Sequence, residues 1–127
     1  MNDFMLDDRA RAMQDKARAF ARDEVDPDYL RRMDRDEIRY PRELYEAYAK
    51  HGLLGLRFPK QYGGQGLDWV ADCAVMGEIG CLGMAAGCSF VMPSIVGEAL
   101  VKFGTEEQKQ KYLKPMLEGR LVSAEAL

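Results

Sequence analysis

Residues 79–97 form a run of 19 without a single charged side chain. That is the length of a membrane span, so the run admits two outcomes: a transmembrane helix, or chain buried inside a folded domain. Its composition decides for the second. Gly80, Gly83, Gly87, Ser89, Pro93, Ser94 and Gly97 dilute the hydrophobicity, and the small residues before Cys88 read as a break between two buried helices. No membrane span is expected.

Charge is segregated along the chain: 24 of the 39 Asp, Glu, Lys and Arg residues lie in positions 1–50 and only 7 in positions 51–105. The middle of the chain is therefore the interior, and the mixed-sign first part is a solvated helix face rather than an interaction tail. With 127 residues the chain is one domain, able to bury roughly two thirds of its unfolded surface without a staple. A net charge of −3, with no arginine-rich or aromatic-interleaved patch, excludes nucleic acid as the expected partner. Cys73, Cys81 and Cys88 are odd in number and lack C-x-x-C spacing. Neither a disulfide framework nor a metal site is expected, only reduced, buried thiols. Without a basic-then-apolar leader, the chain as given is expected to be cytoplasmic.

Periodicity supplies the elements. Leu6, Ala10, Met13, Ala17 and Phe20 recur at intervals of four and three, the stripe of an amphipathic helix, which should end near Val25 because Pro27 cannot continue it. Residues 28–39 are dense in charge and low in pattern, so a loop with a helical turn is expected. A second helix should start at Pro41, where a missing N–H is harmless; it carries Leu44, Ala47, Tyr48 and His51 on one face and stops at Gly52. His51 is a helix-end residue, since no cysteine, serine or acid accompanies it as a catalytic partner.

After a short apolar connection over residues 53–58, Pro59 with Gly63, Gly64 and Gly66 forces a tight loop. A phosphate cradle is excluded, because no Lys-Ser or Lys-Thr follows the glycines and Trp69 stands where a dinucleotide fingerprint needs glycine. Two buried helices should follow, one over residues 69–83 with Asp72 and Glu78 as its only charges, the other over residues 88–103. In the second, Val91, Met92, Ile95, Ala99 and Lys102 step at helical spacing around Pro93; on residue pattern alone that apolar stripe is core. Gly104 closes it, and Thr105-Glu106-Glu107-Gln108 has the form of a capping box. Acids at the start of the new helix and Lys109, Lys111 and Lys114 further on suit the macrodipole. Pro115 should kink or end that helix and Gly119 turn the chain, after which residues 120–127 look like an extended strand cut off on entering another domain, so the chain reads as a fragment.

Three motifs in order carry a resemblance. Tyr40-Pro41-x-x-Leu44 leads into Lys50-His51-Gly52-Leu53-Leu54-Gly55-Leu56. Phe58-Pro59-Lys60-Gln61-Tyr62-Gly63-Gly64-Gln65-Gly66 follows, and then Phe103-Gly104-Thr105-Glu106-Glu107-Gln108-Lys109-x-Lys111-Tyr112-Leu113. Together they resemble the amino-terminal helical domain of the acyl-CoA dehydrogenase family, over nearly the whole chain. The resemblance implies an all-α, orthogonal or up-down helical domain of about five to six helices over residues 1–119. It also implies the start of a β segment, belonging to a middle β domain, over residues 120–127.

It further implies FAD held between later domains, an acyl-CoA thioester oxidised to the 2,3-enoyl-CoA, electron-transferring flavoprotein as acceptor and a homodimer or homotetramer in the complete enzyme. The family's catalytic glutamate lies in a carboxy-terminal domain, so neither Glu78 nor Glu98 is named as the base and the fragment alone should be inactive. By position, Cys88, Val91, Met92 and Ile95 are implied to line the acyl pocket. Glu125 and Leu127 fall where family members contact the flavin just before a Thr-Glu-Pro motif, with Glu125 departing from the usual aromatic. An acyl-CoA oxidase or flavin monooxygenase of the same scaffold, or a helical binding module without catalysis, are the competing readings.

Overall fold

The computed structural model describes residues 6–124, and among them every regular element is helical. Helix α1 (Asp8–Asp23) is capped by Asp7, whose carboxylate accepts from the Ala10 amide at 2.7 Å. Its buried stripe holds Ala10, Ala17 and Phe20, as the spacing predicts.

Helix α2 (Pro27–Asp34) corrects the expectation of a loop. The proline that ends α1 also begins α2: Asp26 caps it, accepting from the Asp28 amide at 2.8 Å, and Pro27 occupies the first turn, where its missing donor costs nothing. Met33 is buried and Tyr29 and Leu30 pack against the core, so tertiary contact stabilises a segment whose own pattern is weak.

Helix α3 (Arg42–Lys50) starts with Pro41 as its cap and stops at His51 and Gly52, the latter at φ +61°. The His51 ring lies 4.9 Å from that of Phe20, a packing role at the helix end. Helix α4 (Trp69–Gly80) is capped by Asp68, and α5 (Met84–Phe103) begins one turn before Cys88. The uncharged run is thereby split by a short turn ending at Gly83, which stands at φ +119°.

Helix α5 is long and apolar enough to pass a length-and-composition test for a span. It buries Ala86, Ser89, Phe90, Pro93 and Gly97 against the rest of the molecule. The stripe expected to be core, through Val91, Met92, Ile95 and Ala99, instead ranges from half-buried to exposed. The face that packs sets Phe90 among small or compact residues, which lets α4 and α5 approach closely: a Cβ on Gly87 would sit 3.6 Å from the Gly80 Cα.

The last helical rod has three contiguous parts: α6 (Glu106–Gln108), a π turn (Lys109–Leu113) and α7 (Lys114–Leu117). Both bonds of the capping box form, Gln108 N–H to Thr105 Oγ1 at 3.2 Å and Thr105 N–H to Gln108 Oε1 at 2.8 Å. Pro115 does not end the rod. Its ring would crowd the Lys111 carbonyl in a continuous α-helix, and the wider π turn just before it relieves that clash.

The extended β segment at the carboxy-terminal end is not found. The amides of Arg120 and Leu121 donate to the Pro115 carbonyl at 2.9 and 3.1 Å, and the Leu121 carbonyl accepts from the Tyr45 hydroxyl at 3.2 Å. Backbone groups used this way cannot enter a ladder, and a strand needs a neighbour to bond with; no described residue forms one. Glu125 and Leu127 lie outside the described residues.

The main core joins α1 to α5 through Phe20, Tyr48, Ile79 and Phe90, with Tyr48 edge-on to both Phe20 and Phe90. A second cluster of Phe58, Tyr62, Leu113, Met116 and Leu117 ties the rod to the glycine-rich loop and α5. The three thiols are free but exposed, not buried. Cys73 sits opposite the Ala71, Ala74 and Val75 face that α4 buries, and Cys88 lies on the outward stripe of α5.

Candidate functional site

The loop over residues 53–67 folds on itself. Consecutive amides from Gly63 to Leu67 donate in turn to the carbonyls of Lys60, Pro59, Gly55, Phe58 and Leu56, at 2.8–3.2 Å. With those donors consumed, the loop offers no nest for a phosphate, in agreement with the sequence. Its density sets the glycine at position 64, where a Cβ would lie 2.1 Å from the Phe58 carbonyl oxygen. The fold-back drives Leu56 and Phe58 inward, both 2% exposed or less. Arg57, between them, is directed at α4 and α5.

Arg57 is the hub of the site, with only 6% of its side chain exposed. Its Nε donates to Asp72 Oδ2 of α4 at 3.3 Å, Nη2 to the Ser94 carbonyl of α5 at 2.8 Å, and Nη1 to Glu98 Oε2 of α5. Ser94 Oγ donates back to Asp72 Oδ2 at 2.9 Å, and Lys102 Nζ lies 3.0 Å from Glu98 Oε1. Two cations thus face two carboxylates, the arrangement that makes buried charge tolerable. The Arg57 hydrogen bond, with Lys102 adding to it, holds the Glu98 carboxyl below the usual carboxylate range. A carboxylate so engaged is a weak base. Glu78 is likewise paired, accepting from Arg18 at 2.8 Å. Both acids are thus held in ion pairs.

The Arg57 guanidinium also stacks, its central carbon 3.6 Å from the centre of the Trp69 ring and 4.6 Å from that of Phe58. Beside this stack an open groove of about 230 Å³ runs between α4 and α5, lined by Arg57, Trp69, Met76, Val91, Ser94, Ile95 and Glu98. Trp69 and Met76 are seven residues apart on α4, and Val91 and Ile95 four apart on α5, so each pair lies on one helix face.

Of the residues implied by resemblance, the structure brings Val91 and Ile95 into the groove. Cys88 is exposed and Met92 half-buried on the same helix, and neither is part of the groove lining. Arg57, Trp69 and Met76 were not singled out by the sequence. The signal for Arg57 was present: it is an isolated cation in an apolar connection, while Asp72 and Glu98 are isolated acids in apolar helices. Isolated charges of opposite sign in buried chain must find each other.

The family model described as acyl-CoA dehydrogenase, N-terminal domain, matches residues 7–120. Over 116 residues the chain is 38% identical to the 3-(aryl)acrylate reductase of Clostridium sporogenes, covering 87% of this chain and 29% of that protein. It is 36% identical over 116 residues to an acyl-CoA dehydrogenase of Bacillus subtilis, covering 91% of this chain and 30% of the relative. In fold it superposes on a chain from a structural study of the electron transferring flavoprotein of Acidaminococcus fermentans. There the TM-score is 0.84 and the identity 33%, over 94% of this chain and 31% of the other. The chain therefore spans about three tenths of the length of the proteins it matches. Matched in sequence from residue 7 to residue 120 and in fold over nearly all its length, the chain belongs to the acyl-CoA dehydrogenase family, as the amino-terminal helical domain of that architecture.

Proposed function

We propose that the chain is the tail-binding helical part of an FAD-dependent oxidoreductase acting at the α,β-carbons of an acyl-CoA thioester. The observation that carries this reading is the groove between α4 and α5: apolar walls from Trp69, Met76, Val91 and Ile95, with the charged groups at its polar side paired among themselves. Such a surface receives an apolar chain and makes no chemistry of its own. In this reading Cys88 and Met92, on the same helix but outside the groove lining, border the acyl group where it leaves the groove. FAD, in this reading, is held by the rest of the protein and supplies the hydride chemistry there. Electron-transferring flavoprotein as redox partner, and assembly as a homodimer or homotetramer, belong to the same reading; the likeness to a chain from a flavoprotein study supports the first.

A second reading has its own support. The 38%-identical relative is a reductase of 3-(aryl)acrylates, so the complete protein would reduce an α,β-unsaturated acyl group instead of forming one. The groove serves either direction.

The test uses the full-length protein with Val91→Phe, assayed over thioesters from butyryl-CoA to lauroyl-CoA with an artificial acceptor and over the matching enoyl-CoAs with a reduced donor. Filling the groove should move the preferred tail to shorter lengths, and the faster direction in the wild type separates oxidation from reduction. An unchanged tail-length profile would remove the groove from the function.

A further inference from the structure

We propose that Trp69 is the end wall of the groove and Arg57 its positioning residue, and that the pair restricts the protein to uncharged tails of limited length. The inference rests on the acyl-groove reading above and adds to it the class of tail accepted.

Trp69 is the single tryptophan of the chain. It opens α4 and is 56% exposed, outside all the core clusters. A large aromatic ring left so open has two χ angles free unless something fixes it. Here the Arg57 guanidinium lies against its face at 3.6 Å. The guanidinium is itself immobile, because Asp72, Ser94 and Glu98 engage all three of its nitrogens from two helices. The orientation of the indole is thus inherited from a buried ion-pair network, which makes it a rigid wall.

The same engagement fixes the charge selectivity. An arginine beside an apolar groove is usually the receptor for a carboxylate on the tail. This one already has its charge matched by Asp72 and Glu98, and Glu98 adds an anion to the groove lining. A tail ending in a carboxylate would meet Glu98 without gaining a cation, and its desolvation would go uncompensated. Branched, straight or aryl tails carry no such penalty.

The experiment compares full-length wild type, Trp69→Ala, Arg57→Lys and the double variant, with kcat/KM measured from butyryl-CoA to lauroyl-CoA, phenylpropionyl-CoA and glutaryl-CoA, together with the corresponding enoyl thioesters. Trp69→Ala should raise the ratio of kcat/KM for long over short tails by about 10-fold, the scale of discrimination by a hydrophobic pocket. Arg57→Lys keeps the charge but loses the planar stack; it should shift the ratio in the same direction. The double variant should shift it no further than Trp69→Ala alone, because both changes release the same wall. Glutaryl-CoA should be the poorest substrate of the wild type. If Arg57→Lys does not fold, the exposed Trp69 substitution still decides. An unchanged ratio in Trp69→Ala, or efficient turnover of glutaryl-CoA by the wild type, overturns this inference while the groove reading stands. A wild type that turns over no acyl or enoyl thioester overturns both.

Discussion

A Cβ at position 64 would meet the Phe58 carbonyl oxygen at 2.1 Å, whereas one at position 77 would meet nothing within 4 Å. The first contact is with backbone and cannot be relieved by a rotamer, so Gly64→Ala should destabilise the protein by about 1–3 kcal/mol. Gly77 lies inside α4 with open space around it. Gly77→Ala should stabilise by about 0.5–1 kcal/mol through lost backbone freedom in the unfolded chain. Urea midpoints moving in opposite directions would check the pair. At Glu98 the argument is electrostatic. Its carboxyl is held below the ordinary value of 4.5 by Arg57 and Lys102. A depressed acid stabilises the fold above its ordinary value, and that contribution is lost as pH falls through the folded value. Wild type should therefore lose its advantage over Glu98→Gln only on the acid side of pH 4.5, as read from denaturation midpoints across pH.

Elements were legible where the signal was local. The α1 stripe, the α3 face and the Thr105 capping box follow from the spacing and cap chemistry of a few residues, and they stand in the structure. Helix α2 was not legible, because Met33 and its neighbours gain their helical preference from the core they pack on. The apolar stripe of α5 faces outward although its spacing suggests core, since periodicity finds a stripe without saying what lies across from it. The β segment failed for a related reason: residues 120 and 121 turn back to the Pro115 carbonyl, an attachment the local sequence does not announce. The clasp holding that end is testable. Tyr45 donates from a fully packed position to the Met116 carbonyl at 2.8 Å and the Leu121 carbonyl at 3.2 Å, and burial raises its hydroxyl above the ordinary range. Tyr45→Phe should cost about 1 kcal/mol, because the Leu121 carbonyl loses its side-chain donor and the Met116 carbonyl keeps only the Gly119 amide. Hydrogen exchange should quicken at the Arg120 and Leu121 amides.

For the whole molecule, the site exists because three distant segments meet: the glycine-rich loop brings Arg57, α4 brings Asp72 and Trp69, and α5 brings Ser94, Glu98 and the apolar stripe. Resemblance pointed to Val91 and Ile95, two of the seven residues that line the groove. Its charged side depends on pairings across 15 and 41 residues of sequence, which no local pattern reports. Removing the hub should be felt throughout. Arg57→Ala leaves Asp72, 3% exposed, without its cation, and should cost about 3–5 kcal/mol. Adding Asp72→Asn should restore part of that loss, because the stranded charge is gone; thermal melts of the single and double variants would show it.

The central claim is that an acyl tail lies between α4 and α5. The most direct measurement is photo-crosslinking of the full-length protein with an acyl-CoA that carries a diazirine at the end of its tail, followed by peptide mapping. The account predicts labelling at Trp69, Met76, Val91 or Ile95, competed away by unlabelled acyl-CoA. Competable labelling confined to residues outside α4 and α5 would contradict it.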